Sequence, residues 1–380
     1  MKIVLAIDSF KGCLTSHEVE SAVSDALRKY IPDCIIETVP IADGGEGTLN
    51  ILSGIMDAQY QHCMAHNPCM EIIPCQYALS SARSCALIEM AAVSGLPLIR
   101  TEQQNPMKTT TYGTGELIVD ALNQGCTHFI VGLGGSATND AGVGMLQALG
   151  YRFYDADNNL LGQGGEILNR IVSWDASMCH PLLEKARFTV ACDVNNPFYG
   201  ENGAACVYAG QKGATEEMII QLDKGLFSFA RVIYKNTGID ISHIPGSGAA
   251  GGMGGGMLAF LNTELKSGSS LILELSNFEE KLLNADLIIT GEGCIDSQTL
   301  MGKIPGEILR IGKGKHIPVV GLAGRVKDKD TLLKAGFRDV YAITPKNMTL
   351  AKALKKDSAV SNIHNTIADL YNDIQAMLIQ

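Results

Sequence analysis

Aromatic side chains and basic charge are scarce in this sequence. Of its 380 residues, 6% are aromatic, with a single tryptophan, and 30 Lys and Arg stand against 40 Asp and Glu, for a net charge of −10. This balance lacks the electrostatic footprint of a general nucleic-acid binder and the polybasic patch of a membrane-surface protein. We therefore expect a mostly aliphatic core, and any anionic ligand must be bound by backbone N–H groups and a few lysines.

Segments that would direct the chain into a membrane or out of the cell are also missing. The sequence has no run of about 18 apolar residues, and its apolar start ends at Asp8, too early for a signal peptide. The eleven cysteines are odd in number and never spaced as Cys-x-x-Cys, which disfavours disulfides and structural zinc. We expect a cytoplasmic protein with buried thiols and no membrane partner.

The composition favours a folded protein of more than one domain. Apolar residues make up 46% of the chain, which is enough for a sizeable core and excludes a disordered chain. A length of 380 residues suggests two or three domains. The 41 glycines are more than average, and they cluster.

Both ends of the chain alternate strand and helix patterns. Lys2–Ile7 is nearly all apolar, as expected for a buried parallel strand, and Thr15 with Glu18 fits a capping box before an amphipathic helix. The same rhythm returns near the C-terminus, with strand patterns at 286–290, 317–322 and 339–343 and a final helix at 362–378. Such alternation indicates an open parallel sheet.

The middle of the chain differs, because it holds most of the glycine clusters and one clear strand-loop-helix at 129–149. We predict an α/β fold with two α/β domains. A discontinuous Rossmann-like parallel sheet would be built from both chain ends, residues 1–65 and 262–380. A mixed α/β domain, residues 66–261, would be inserted into it.

The loop of this strand-loop-helix, Gly132–Gly144, has the composition of a phosphate-binding loop. Glycines let backbone N–H groups approach a ligand, and a helix N-terminus behind them favours negative charge. The loop is neither a Walker A motif nor the dinucleotide-binding fingerprint. A tight turn that packs a helix on a strand is the alternative. The candidate ligand-binding residues are Gly134, Gly135, Ser136, Asn139, Asp140 and Gly144.

A second glycine cluster, Pro245–Met257, has seven glycines between positions 246 and 256. So many glycines cost conformational entropy on folding unless a ligand or close packing requires them. We predict that Gly248, Gly251 and Gly252 approach a ligand; a flexible linker is the alternative.

Acidic residues follow two of the predicted strands, where ligands bind in open α/β sheets. Asp43 and Glu46 follow the second strand, and Glu292 and Asp296 follow the strand at 286–290. Paired carboxylates beside phosphates suggest Mg²⁺, which prefers oxygen ligands. Solvated loop acids are the alternative.

Three further residues are candidates by position. Lys11 lies between the first strand and a helix, where it could meet an anionic substrate, although a surface lysine is equally compatible. Asp193 follows an apolar segment and suits a general base or a metal contact. Lys212 lies a short way beyond it.

Eight motifs in order resemble those of the bacterial type I glycerate kinases, and the resemblance extends from residue 1 to about residue 325. They are DSFKG, ADGGEGT, KTTTYGTGEL, GGSATNDAG, ACDVNNP, GQKGAT, GAAGG and TGEGCIDSQTLMGK. The resemblance implies ATP-dependent phosphorylation of D-glycerate, usually to 2-phosphoglycerate, and an active site in the cleft between two α/β domains. Two positions depart from the family pattern: Cys294 stands where relatives commonly carry Arg, and Ala209-Gly210 replaces a frequent Gly-Pro.

Roles for the candidates follow from this chemistry, since phosphoryl transfer depends on positioning and charge neutralisation. We assign Asp193 as the general base and Lys11 as a catalytic cation. Glu292 and Asp296 are assigned to Mg²⁺, and the Gly134–Gly144 loop to the phosphates. The predicted substrate contacts are Asp43, Lys212 and Lys303.

Two other functions remain open on the sequence. An NAD-dependent hydroxy-acid dehydrogenase would suit the glycine content and the Rossmann-like ends, but the missing fingerprint argues against it. A non-catalytic small-molecule binding protein would need no acids at the phosphate loop. The expected partner is a small-molecule substrate and not a nucleic acid, and a homodimer is left open.

Overall fold

The chain divides into two compact units, described here in a computed structural model that covers residues 1–41, 48–80, 82 and 84–378. Unit 1 combines Met1–Asp43 with Gly268–Gln380, and unit 2 is the segment between them, Gly44–Ser267.

The strands are β1 (Lys2–Ile7), β2 (Ile35–Thr38), β3 (Gln59–His66), β4 (Ile72–Ser80), β5 (Cys85–Glu89), β6 (His128–Gly132), β7 (Arg152–Tyr154), β8 (Ser173–Asp175), β9 (Arg187–Ala191), β10 (Thr263–Lys266), β11 (Leu287–Ile295), β12 (Val319–Val326) and β13 (Asp339–Ala342). The α-helices are α1 (Ser16–Tyr30), α2 (Thr48–Ile55), α3 (Ala91–Ser94), α4 (Tyr112–Asn123), α5 (Val143–Ala148), α6 (Ala204–Tyr208), α7 (Glu216–Thr237), α8 (Ala249–Phe260), α9 (Gly268–Leu275), α10 (Phe278–Lys281), α11 (Ile304–Gly314), α12 (Lys329–Ala335), α13 (Leu350–Ala353) and α14 (Lys356–Leu378).

The sheet of unit 1 is built from both ends of the chain, which confirms the predicted fold class. Its strand order is β13-β12-β11-β1-β2, and every neighbouring pair is parallel. Strand β1 lies inside the sheet, with Leu5 opposite Ile289 of β11 on one side and Thr38 of β2 on the other. Residues 3 to 7 are fully buried, because helices cover both faces of such a sheet.

Helices α1 and α14 cover one face of this sheet. The predicted capping box starts α1: the Glu18 N–H donates to Thr15 Oγ1 at 3.2 Å, and the Thr15 N–H donates to Glu18 Oε2 at 2.8 Å. Val19 of α1 and Ile363 of α14 are fully buried in the same cluster as Leu5. The apolar stripe of each helix therefore faces the strands, as the sequence periodicity predicts.

Unit 2 contains a mixed sheet of order β10-β9-β6-β5-β4-β3, in which β10, β9, β6 and β5 are parallel and β4 and β3 are antiparallel. A separate hairpin pairs β7 with β8. Phe129 and Phe188 stack across β6 and β9 with ring centroids 4.8 Å apart. The predicted domain bound near residue 65 would fall within β3, whereas β3 pairs along its whole length with β4. Unit 2 accordingly begins earlier, at Gly44.

The eleven cysteines are present as thiols. Cys85 and Cys126 are buried, Cys206 is exposed and the others are partly exposed, so the expectation of generally buried thiols was wrong. Within the described ranges, no helix has the length and apolar character needed to cross a membrane.

Candidate functional site

The parallel strands of unit 2 bring two predicted site segments to one edge of the sheet. Gly132, the last residue of β6, pairs with Ala191, the last residue of β9. The glycine-rich loop leaves the first strand, and Asp193 follows the second by two residues. Asp193 is exposed. Ligands of open α/β sheets bind outside this carboxyl edge, so the exposed carboxylate and the loop lie on the appropriate side of unit 2.

Only the first part of the glycine-rich loop is open to a ligand. Gly134 and Gly135 are exposed, and nothing lies within 4 Å of the position that a Cβ would take at Gly134. Asn139 and Asp140 are fully buried. A Cβ at Gly144 would overlap Thr110 Oγ1, so packing requires that glycine. Ser136, which follows them, is only 9% exposed. We call Gly134–Ser136 the open loop.

Lys212 supports the open loop from inside the protein. Its side chain is only 2% exposed, and its Nζ donates to Ser136 Oγ at 2.8 Å and to the Thr138 carbonyl at 2.7 Å. Burial lowers the pKa of Lys212 to about 7, and the Asp140 carboxylate opposes that lowering. The lysine predicted to contact substrate directly is therefore placed behind the loop, where it holds the loop's shape.

Asp140 fixes the rest of the loop. Its carboxylate accepts hydrogen bonds from the Thr111 N–H at 2.8 Å, the Thr111 hydroxyl at 2.9 Å, and the Gly142 and Gly144 N–H groups at 3.2 Å each. Burial raises the pKa of Asp140, and these hydrogen bonds oppose the rise. Asp140 thus ties the loop to the start of α4 and to the start of α5, which is a structural role.

From Ala249 onward, the second glycine cluster lies in the helix α8, and its glycines are buried. Gly251 and Gly252 have φ of +67° and +89°, and the helix is kinked there. A Cβ at Gly251 would overlap the Thr138 carbonyl, and one at Gly248 would overlap the Pro197 carbonyl. The nearest neighbours of these glycines are thus protein atoms, and packing accounts for the cluster. Their predicted contact with a ligand stays a prediction.

The spacing of Gly246, Gly248 and Gly251 also matches Gly-x-Gly-x-x-Gly. The dinucleotide-binding fingerprint requires a strand before these glycines. Here residues 245–248 form a turn, and α8 starts at Ala249. The dehydrogenase alternative therefore has no support from this segment.

Unit 1 carries a pocket at the carboxyl edge of its own sheet, with a volume of about 580 Å³. It lies where β1, β11, β12 and β13 end. Its polar lining includes Lys11, Arg325 and Lys346, and its floor includes Gly293 and Gly324. We call it the unit 1 pocket. Sequence analysis identified Lys11 but missed Arg325 and Lys346, which no local motif marks.

The two acids assigned to Mg²⁺ lie at the end of β11 and just beyond it. Glu292 accepts hydrogen bonds from the Thr299 hydroxyl at 2.6 Å and from Lys303 Nζ at 3.3 Å. Asp296 accepts from the Gln298 N–H at 3.0 Å and caps the 3₁₀ helix Ser297–Leu300. Lys303, predicted to contact substrate, thus contacts Glu292.

These acids offer suitable oxygen donors for Mg²⁺, which usually keeps several waters and takes one or two protein carboxylates beside substrate phosphates. No group of three or more His, Cys, Asp or Glu in the described part of the chain is arranged to hold a metal ion. Asp43 and Glu46 lie outside the described residues.

Comparisons with known proteins agree over the full length of the chain. The model of the glycerate kinase family matches residues 3–375. The chain is 43% identical over 356 residues to the glycerate 2-kinase of Escherichia coli K12, with 93% of each chain covered. It is 40% identical over 368 residues to a glycerate kinase of Halalkalibacterium halodurans, covering 96% of this chain and 97% of that protein. A crystal structure described as glycerate kinase 2 from Salmonella typhimurium LT2 matches all of both chains, with a TM-score of 0.84 and 40% identity.

Proposed function

The chain belongs to the glycerate kinase family, and on that premise we propose that it transfers the terminal phosphoryl group of ATP to D-glycerate, with 2-phosphoglycerate as the product. The observation that carries the proposal is the full-length match to a glycerate 2-kinase at 43% identity. Because that match covers 93% of each chain, it extends over both units and is not limited to one of them.

Asp193 is the proposed general base. The glycerate hydroxyl must lose its proton as the phosphoryl group arrives, and a carboxylate within hydrogen-bond reach can accept it. The exposure of Asp193 and its position just beyond β9 support this role. The neighbouring strand β6 leads into the open loop, so Asp193 and this loop follow adjacent strands at the same edge of the sheet, which also supports the role.

The open loop is the proposed site for an anionic group, either the glycerate carboxylate or the transferred phosphoryl group. Because Lys212 Nζ donates to Ser136 Oγ, the Ser136 hydroxyl hydrogen points elsewhere and can be donated to a ligand oxygen. The N–H groups of exposed glycines can approach the same oxygen. Lys212 would then act through Ser136 rather than by direct contact.

Glu292 and Asp296 are the residues that would hold Mg²⁺ alongside the nucleotide phosphates. When bound, the ion neutralises charge that develops on the phosphate oxygens. Lys303 is paired with Glu292 at 3.3 Å and is itself 43% exposed. Although Glu292 is only 13% exposed, the Lys303 end of the pair is solvated, and we retain Lys303 as a proposed substrate contact that would exchange Glu292 for an anionic group. Lys11 is proposed as a catalytic cation.

We further propose a cytoplasmic location, since eleven thiols suit a reducing compartment.

The experiment that decides the proposed activity is phosphorus NMR of the product formed from D-glycerate, Mg²⁺ and ATP, because it tests activity and regiochemistry together. L-glycerate serves as the control substrate. A spectrum without any phosphoglycerate would end the proposal, and 3-phosphoglycerate alone would overturn the assigned hydroxyl. Turnover of NAD(H) with glycerate would instead favour the dehydrogenase.

A further inference from the structure

We propose that the unit 1 pocket binds the phosphoryl donor as a nucleoside triphosphate, with the phosphates against its cationic side chains and the base against its apolar side chains. The residues that line the pocket indicate a ligand with an anionic part and an apolar part. That this ligand is the phosphoryl donor rests on the proposed function.

The pocket lies near the point in the sheet where the order of successive strands changes from one side of β1 to the other. From β1 the chain continues to β2 on one side, and it later returns to β11 on the other side. Lys11 follows β1, and Gly293 lies in the carboxyl-terminal part of β11. Ligands of doubly wound sheets bind at this topological switch point, outside the carboxyl ends of the strands. The position of the pocket therefore indicates a ligand-binding site, independently of the side chains that line it.

The charge of the lining favours an anion. Lys11, Arg325 and Lys346 are all exposed side chains of the pocket, and none of the described residues that line it is acidic. This is unusual in a chain with a net charge of −10. Arginine in particular recognises phosphate with several N–H donors at once.

The floor leaves room for a close approach. A Cβ at Gly293 would have no neighbour nearer than the Lys11 backbone nitrogen at 3.7 Å. Gly324 lies beside Gly293, and a Cβ there would be 2.8 Å from the Gly293 carbonyl oxygen. The two glycines therefore keep side chains off the ends of β11 and β12. A ligand can lie directly on the backbone there.

The other side chains that line the pocket are mostly apolar and in part exposed, and we call them the apolar wall. Leu350 and Leu354 line the pocket, and they are 73% and 41% exposed. Ile343 and Met348 continue this wall. Glycerate is small and polar throughout, so it has no group that would cover these side chains. A nucleobase does, and the volume of about 580 Å³ lies in the usual range for sites of that ligand size.

Calorimetric titration with a non-hydrolysable ATP analogue, without glycerate, tests the proposal on the full chain. Arg325→Met should weaken binding by about 10-fold or more, as expected for loss of a charge-assisted hydrogen bond. The matched control is Arg338→Met, because Arg338 is also exposed but precedes β13 at the opposite edge of the same sheet. Circular dichroism verifies that each variant is folded.

The apolar wall is tested separately with Leu350→Asp, which should weaken the nucleotide analogue but not inorganic tripolyphosphate. Leu283→Asp is its control, since Leu283 is 65% exposed in the same unit and does not line the pocket. Arg325→Met should weaken both ligands. The two variants therefore distinguish the charged contacts of the site from its apolar contacts.

The outcomes distinguish this proposal from the proposed function. If the wild-type protein does not bind the analogue, if D-glycerate displaces it, or if Arg325→Met and Leu350→Asp bind it normally, the pocket assignment is overturned, even when phosphoglycerate is formed. If both variants lose binding but the wild-type protein forms no phosphoglycerate, the pocket stands as a nucleotide site and the kinase proposal fails.

Discussion

Replacing Lys212 with methionine should remove a pH dependence of stability that the wild-type protein has between neutral and alkaline pH. Lys212 is 2% exposed, and burial lowers its pKa to about 7. In the unfolded chain the same lysine has an ordinary pKa near 10.5. Between these values the unfolded chain binds a proton that the folded protein releases, so the free energy of unfolding rises with pH.

The size of the effect follows from the two pKa values. A drop from 10.5 to about 7 corresponds to ~5 kcal/mol of cost for burying the charged form. The cost is fully present below about pH 7 and is relieved as the pH rises, with a slope that approaches ~1.4 kcal/mol per pH unit. From about pH 7 to pH 9, the wild-type protein should gain ~2 kcal/mol more than Lys212→Met. Loss of the lysine charge would also raise the pKa of Asp140 further, which adds to the difference.

Urea unfolding at several pH values measures this difference. Trp174, the single tryptophan, lies in β8 of unit 2 and contacts Phe260 with ring centroids 4.9 Å apart. Its fluorescence therefore reports on the unit that contains Lys212. Lys224→Met is the matched control, because Lys224 is an exposed lysine on α7 of the same unit, and this variant should keep the wild-type slope.

Parallel stability curves for the wild-type protein and Lys212→Met would refute the reasoning. They would mean that Lys212 remains charged in the folded protein throughout this range. In that case its hydrogen bonds to Ser136 and Thr138 offset the free-energy cost of burying the charged lysine, and burial does not lower its pKa as far as expected.

Four further substitutions test other parts of the protein. Asp193→Asn should lower kcat by about 10²–10⁴-fold, as removal of a general base does, without changing nucleotide binding in calorimetry. Asp296→Asn should raise the Mg²⁺ concentration needed for half-maximal rate, while its amide still caps the 3₁₀ helix, since Asn and Asp are equally good caps. Gly251→Ala should lower the free energy of unfolding by ~3 kcal/mol or more, because of its positive φ and its overlap with a backbone carbonyl. Gly134→Ala, with open space around the new methyl group, should leave stability unchanged and reduce activity.

Contrary results are easy to recognise in each case. A kcat close to that of the wild-type protein would remove Asp193 from the role of base. An unchanged Mg²⁺ titration would show that Asp296 is not a metal ligand. Equal melting of the two glycine variants would contradict the packing explanation for α8.

The sheet of unit 1 was predictable because its signals are local. Short apolar strands and a capping box at Thr15 and Glu18 depend on neighbouring residues, and α1 starts where the box predicts. The glycine cluster of α8 was not predictable in the same way. Glycine is a poor helix former, yet tertiary packing against the loop at Thr138 selects a helix there. The sequence shows the glycines but not the carbonyl groups that require them.

The site could be predicted only in part, because its contacts join residues far apart in the chain. Lys212 and Ser136 were both candidates, but their hydrogen bond spans 76 positions and no spacing rule anticipates it. Arg325 and Lys346 lie in the same pocket as Lys11 only because β1, β12 and β13 end at one edge of a sheet. Such residues can be assigned to a common pocket only once the strand order is known.

The central place of β1 in its sheet also sets the order in which the chain can fold during synthesis. Its neighbour β11 (Leu287–Ile295) is made only after all of unit 2, which is contiguous and ends at Ser267. Unit 2 can therefore complete its core on the ribosome, since domains fold as units while the chain emerges. Until then, one edge of β1 lacks its native strand, and its apolar residues lack their cover from α14. The first residues to be made are among the last to be buried, so a chain stalled near residue 280 would expose a strand prone to aggregation.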